Sequence, residues 1–198
     1  MKRGLLAGVT VTGALLLGKS LASKPASPQF YGLTGAVAAT WLAGASAAGP
    51  IPRGQRGILA PAVTGAGAFA VFYGGALVAR RIPVLRRAIA GVLSYAHRGS
   101  TASVVLTTLA NGAAEEIFFR GALYSAAGAH PVRTSTAIYV LTTTATRNPA
   151  LVLASAVMGT LFGVQRRRSG GVQAPLVTHV VWSSLMLAFM PRLFVEES

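Results

Sequence analysis

The chain has 198 residues, of which 53% are hydrophobic and 11% charged, against a charged share of ~25% in soluble domains, so an ordinary water-soluble domain is excluded and a membrane protein is indicated. Eighteen basic against four acidic residues give a net charge of +14, but the basic residues flank hydrophobic runs and do not interleave with aromatics, which reads as interface charge at helix ends and excludes a nucleic-acid partner. No cysteine is present, which excludes disulfides, thiol catalysis and cysteine-bound metal.

Seven apolar stretches approach the ~20 residues that a bilayer crossing needs: 4–18, 29–50, 57–79, 100–114 continuing through an acidic pair, 134–146, 149–164 and 172–189. We expect a single all-α domain over 1–198, a polytopic bundle of six to seven transmembrane helices. Lipid offers no partner to open backbone amides, and the stretches lack the alternation of barrel strands. The first stretch comes after Lys2 and Arg3 and ends in Ala-Ser-Lys-Pro-Ala-Ser; it is read as a retained span, because the remainder of the chain is itself multi-spanning. Polar, proline-containing connections at 20–28 and 49–56 come next. Between 82 and 98, Ile82, Leu85, Ile89, Val92 and Leu93 recur at helical spacing against Arg86 and Arg87. That pattern fits a surface amphipathic helix or an extended flank of the third span. Gly4 with Gly8, and Gly159 with Gly163, have the four-residue spacing that lets helices approach closely. The basic residues divide almost evenly between the two sides, so the positive-inside rule gives no orientation.

Two of the four acids, Glu196 and Glu197, lie at the C-terminus, while Glu115 and Glu116 stand inside the fourth stretch. A carboxylate there costs at least ~2.5 kcal/mol on insertion scales and is normally turned toward protein or a wet cavity with a partner. Arg120 stands four positions after Glu116, so the two share a helix face, whereas Glu115 lies ~100° around the helix. This suggests a division of labour in which Arg120 holds Glu116 charged and Glu115 serves as general base. Asn111 shares the face of Glu115, where it either orients that carboxylate or makes an interhelical contact. His179 stands within the last stretch with Ser183 one turn on; the pair suits hydrogen bonding to an oxyanion, or holding a water or metal, though a lone histidine there equally fixes helix packing. His97 and His130 fall at segment edges and read as interface residues. No zincin-type histidine pair is present, so a conventional zinc site is not indicated.

The run Glu115-Glu116-Ile-Phe-Phe-Arg120-Gly121 resembles the first motif of the CAAX protease and bacteriocin-processing family of intramembrane endopeptidases, also called Abi and including type II CAAX prenyl proteases. The likeness extends over about 101–187, a catalytic core that closes with Ala174-Pro175-Leu-Val-Thr-His179. It implies that Glu115 activates water for peptide-bond attack, that Glu116 and Arg120 support it, and that His179 helps bind the oxyanion. The family's second motif, phenylalanine then histidine four positions later, should fall between Ala137 and Asn148. No histidine stands there, and Thr143 or Thr144 occupies its place; Ser183 replaces the asparagine that many members carry. A threonine can hydrogen-bond a water but cannot take its proton at neutral pH.

The expectation is a glutamate-dependent endopeptidase cleaving membrane-associated or peptide substrates, with Thr143 or Thr144 and Ser183 assisting. The alternative is a catalytically impaired member acting as a binding or bacteriocin-immunity protein. Implied partners are a peptide or protein substrate in the membrane and the bilayer itself. No cofactor is required with certainty; a divalent metal such as zinc, if held, would sit at Glu115 and His179. The Arg-rich, Ala/Gly-heavy composition suggests a bacterial cell membrane as the location.

Overall fold

A computed structural model describes residues 2–194; Glu196 and Glu197 lie outside them. The described chain is all-helical: α1 (Lys2–Ala22), α2 (Pro28–Ala48), α3 (Leu59–Ala79), α4 (Pro83–Arg98) and α5 (Thr101–Glu115), the last continuing through a π-helical stretch (Glu116–Leu123) into the short turn α6 (Tyr124–Ala126), then α7 (Pro131–Thr144), α8 (Pro149–Ser169), α9 (Gln173–Phe189) and a closing 3₁₀ turn (Pro191–Leu193). The starts obey local chemistry. Ser27, Ser100 and Asn148 accept backbone N–H groups at the heads of α2, α5 and α8, and proline stands in the first turn of α2, α4, α7 and α8, where its missing donor costs nothing. Gly170 ends α8 in the left-handed region at φ 75°.

Among the described residues, four helices are long and apolar enough to cross a membrane: Arg3–Ala22, Leu59–Ala79, Pro149–Ser169 and Gln173–Leu193. The stretch expected at 134–146 is shorter. At ~1.5 Å per residue, the 14 residues of α7 reach ~21 Å, less than the ~30 Å of bilayer hydrocarbon. Between α3 and α4 the chain breaks at Arg80–Ile82 and restarts at Pro83, with Leu93 the one buried residue of α4. The segment 82–98 is therefore a separate amphipathic helix and not an extension of the third span.

α1 packs on α2, α3 on α9, and α7 on α8. The main core lies where α1, α2 and the π-helical stretch meet: Trp41 stacks on Phe118 at 4.8 Å between ring centroids and meets Phe119 edge-on at 5.1 Å, with Leu6, Val37 and Leu123 around them. Gly13 lets the Trp41 ring lie on α1, and Gly163 lets Val132 approach α8. Gly4 and Gly8 instead face open space, so the close approach expected of that pair is made by Gly13 and Gly44. The connection from α2 to α3 forms a strap bonded to the α8–α9 turn: Gln55 N–H donates to Ser169 at 2.9 Å, and Val172 and Gln173 donate to Pro52 and Arg53 at 3.0 Å each. Backbone crowds Gly54 and Gly171 here, leaving no room for a Cβ at either.

Candidate active site

The site begins with the burial of Glu116 and Arg120, both 0% exposed. Arg120 Nη1 donates to Glu116 Oε1 at 3.2 Å, and its Nη2 donates to the Gly159 carbonyl at 3.2 Å. A Cβ on Gly159 would stand 3.3 Å from that nitrogen, so a glycine in α8 is what lets the guanidinium reach the backbone. The guanidinium also lies over the rings of Tyr139 at 4.5 Å and Phe162 at 5.2 Å, a cation–π setting that desolvation strengthens. Arg166 Nε donates to the Arg120 carbonyl at 2.8 Å, tying the end of α8 to the same turn.

His179 completes this charge cluster. Its Nδ1 is 3.1 Å from Glu116 Oε1, and its ring stacks on Phe162 at 4.8 Å. A carboxylate only accepts, so Nδ1 carries the hydrogen of that bond and Nε2 is left for other partners. Nε2 sits beside Gly112, where a Cβ would approach it to 3.2 Å. Glu116 therefore binds both Arg120 and His179, and its role as the internally neutralised acid agrees with the spacing argument.

Glu115 faces elsewhere. Its Oε2 accepts a 2.7 Å hydrogen bond from the Tyr139 hydroxyl, and no described residue bonds its Oε1. It lines a cavity of about 340 Å³ together with Gly112, Tyr139, Thr143, His179 and Ser183. The cavity walls are otherwise largely apolar, running from Glu115 past Phe30 and Met158 to Leu93 of α4.

The structure thus brings Glu115, Glu116, Arg120, His179, Thr143 and Ser183 into one region and leaves Thr144 out. Thr144 is exposed, and its hydroxyl donates to the Leu141 carbonyl at 2.6 Å, because it lies one position around α7 from the cavity face. Thr143 is buried, and its hydroxyl donates to the Tyr139 carbonyl at 2.9 Å. Asn111 does not orient Glu115: its amide donates to the carbonyls of Thr34 and Thr107 at 3.2 and 3.0 Å, the first of which is an interhelical contact. Glu116 holds Nδ1 of His179, which leaves Nε2 as the ring atom open to a further partner. Among the described residues no three of His, Asp or Glu converge as a metal-binding group. His97 and His130 are exposed and do not line the cavity.

Tyr139 is the site residue that sequence reasoning passed over. It stands where the second motif has phenylalanine, four positions before Thr143, and the signal was its hydroxyl: a phenol in an apolar helix needs a hydrogen-bond partner.

A model of one known family, described as type II CAAX prenyl endopeptidase, Rce1-like, matches residues 97–185. No curated protein and no solved structure matches the chain.

Proposed function

We propose that this membrane protein, whose residues 97–185 match the model of the type II CAAX prenyl endopeptidases, Rce1-like, is an intramembrane endopeptidase in which Glu115 activates the attacking water. The observation that carries the reading is the contrast between two adjacent carboxylates. Both are bonded through one oxygen, but Glu116 is fully buried with Arg120 and His179 on its Oε1, while Glu115 lines the cavity of about 340 Å³. A general base must lie within hydrogen-bond reach of the proton it removes, and Oε1 of Glu115 meets that need for a water in the cavity. The Tyr139 hydroxyl holds Oε2 of this carboxylate and leaves Oε1 without a described partner. Glu116 and Arg120 brace the turn, Glu116 orients His179, and the Ser183 hydroxyl would donate to the carbonyl oxygen as negative charge develops on it, joined by Nε2 of His179 when that ring carries hydrogen on both nitrogens. Substrate would enter as a peptide or protein segment within the bilayer. We further propose six crossings, the lower of the six to seven expected, counting α2 and the continuous helix 101–126 with the four long helices, in a bacterial cell membrane.

The test is cleavage of a fluorogenic prenylated CAAX-type peptide, and of its unprenylated counterpart, by the purified full chain in proteoliposomes. Glu115→Gln is expected to lower turnover by roughly 10² to 10⁴ with unchanged thermal unfolding. One observation favours a second reading, a family member that binds peptides without hydrolysing them. Thr143, at the place of the second-motif histidine, spends its hydroxyl on the Tyr139 carbonyl. Peptide binding that survives Glu115→Gln, with no cleavage by the unaltered chain, would select that reading.

A further inference from the structure

α4 lies across one end of the bundle. The Tyr95 hydroxyl is 2.7 and 2.8 Å from the carbonyl oxygens of Leu21 and Ser23 at the end of α1, and Asn148, between α7 and α8, donates to the Ala88 carbonyl at 2.8 Å. Held at both sides, the helix turns Val92, Leu93 and Ala96 onto the cavity that reaches Glu115. At its other end, together with the turn from α3, it forms a second pocket of about 460 Å³. Arg80, Arg81, Arg86 and Arg87 surround this pocket, and Ala90, Leu193 and Phe194 supply the rest of its wall. The only acids among the described residues are Glu115 and Glu116, and neither lines it.

Four guanidiniums gathered without a carboxylate among the described residues of the pocket are matched by phosphate, which takes the planar donor fork in two-point hydrogen bonds. Ile82 and Val84 are exposed in the same turn, and Phe194 adds an apolar wall. A soluble anion would use the arginines alone, whereas a phospholipid engages both parts, headgroup on charge and acyl chain on the apolar residues.

We propose that this pocket binds the headgroup of an anionic phospholipid, and that the bound lipid fixes α4 across the end of the Glu115 cavity. The coupling is direct. Leu93 of α4 forms a core cluster with Ala76 and Met190, against which Ile89, Met186, Leu193 and Phe194 pack. Leu93 and Met186 face the cavity, and Leu193 and Phe194 face the arginine pocket. The lipid site stands on this surface and does not depend on the proteolytic reading.

The experiment uses the full chain in nanodiscs of phosphatidylcholine containing a minor fraction of phosphatidylglycerol, with native mass spectrometry of the lipid retained. Two variants with equal loss of charge are compared, R80Q/R81Q/R86Q/R87Q at the pocket and R53Q/R56Q/R167Q/R168Q at the opposite end. The pocket variant is expected to retain phosphatidylglycerol roughly a hundredfold more weakly, and the opposite-end variant to retain it like the unaltered chain. Hydrogen exchange of α4 should slow with phosphatidylglycerol in the unaltered chain and the opposite-end variant, and not in the pocket variant. All eight arginines are exposed, and an unchanged unfolding temperature verifies that each variant is folded. Equal retention by both variants overturns the proposal. Displacement of the lipid by inorganic phosphate, with no preference for phosphatidylglycerol over phosphate, overturns the lipid assignment in favour of a free-anion site.

Discussion

At 2.7 Å, with a carboxylate as acceptor, the hydrogen bond from Tyr139 to Glu115 belongs to the stronger class. Removing it with Tyr139→Phe keeps the ring under the Arg120 guanidinium and takes away only the donor. A bond of this class is worth ~1.5–3 kcal/mol, so turnover of the CAAX-type peptide is expected to fall roughly 10- to 100-fold with KM little changed. A role confined to packing would leave turnover intact. Arg120 carries a different load. Arg120→Leu strands Glu116 and His179 without their cation, and breaking a buried pair from one side costs ~3–5 kcal/mol, to be read as a lowered unfolding temperature in detergent. The spacing of Glu116 and Arg120 made their pairing legible, since i and i+4 meet on any helix. The partners of Glu115 and Asn111 were not legible, because each depends on which helix crosses at that height. Thr143 and Thr144 could not be told apart by sequence for the same reason; one position of rotation about α7 sends the first inward and the second to the outside.

Among the helices, the departure with most consequence is the π-helical stretch Glu116–Leu123, which buries Phe118, Phe119, Arg120, Gly121, Ala122 and Leu123 in succession. Six consecutive buried residues need protein on every side, and α2, α7, α8 and α9 all contact this stretch. Nothing in the spacing of apolar residues signals a widened turn, although such turns are frequent at functional sites. The amphipathic character of α4 was legible, because Arg86 and Arg87 oppose a regular apolar stripe; its position over the cavity was not. Two side chains set that position. Tyr95→Phe removes the one hydroxyl hydrogen that Leu21 and Ser23 share, and Asn148→Asp removes the amide donor to Ala88 while keeping the oxygen that caps α8, two hydrogen bonds worth ~1 kcal/mol each. Amide exchange in α4 should therefore accelerate more than tenfold while exchange in α5 stays as it was.

Over the whole molecule, charge and apolarity are segregated almost completely. The two described carboxylates are in the interior site with Arg120, and most other basic residues lie at the helix ends. Membrane residence and helical class were legible from that segregation, because they are consequences of composition alone. The number of crossings was not, because a 14-residue α7 can pack inside the bundle without reaching both faces. The two ends are also held differently: one by side chains of α4, the other by the backbone strap. Gly171→Ala tests the strap, since the added methyl would collide with the Arg53 backbone. Overpacking of this kind costs ~1–3 kcal/mol, visible as a lower unfolding temperature and as proteolysis within 51–56.

During synthesis, the strap has a further effect. Pro52, Arg53 and Gln55 are made early, but their hydrogen-bond partners arrive only with Ser169 to Gln173. Until then the α2–α3 connection has no fixed path, and α3 can be inserted without being locked to the packed pair α1 and α2. Closure falls to the last turn, the same one that delivers His179 to Glu116. A chain halted before that point would carry its acidic pair but neither the latch nor the histidine, so the buried Glu116–His179 contact would form only once α9 has been made.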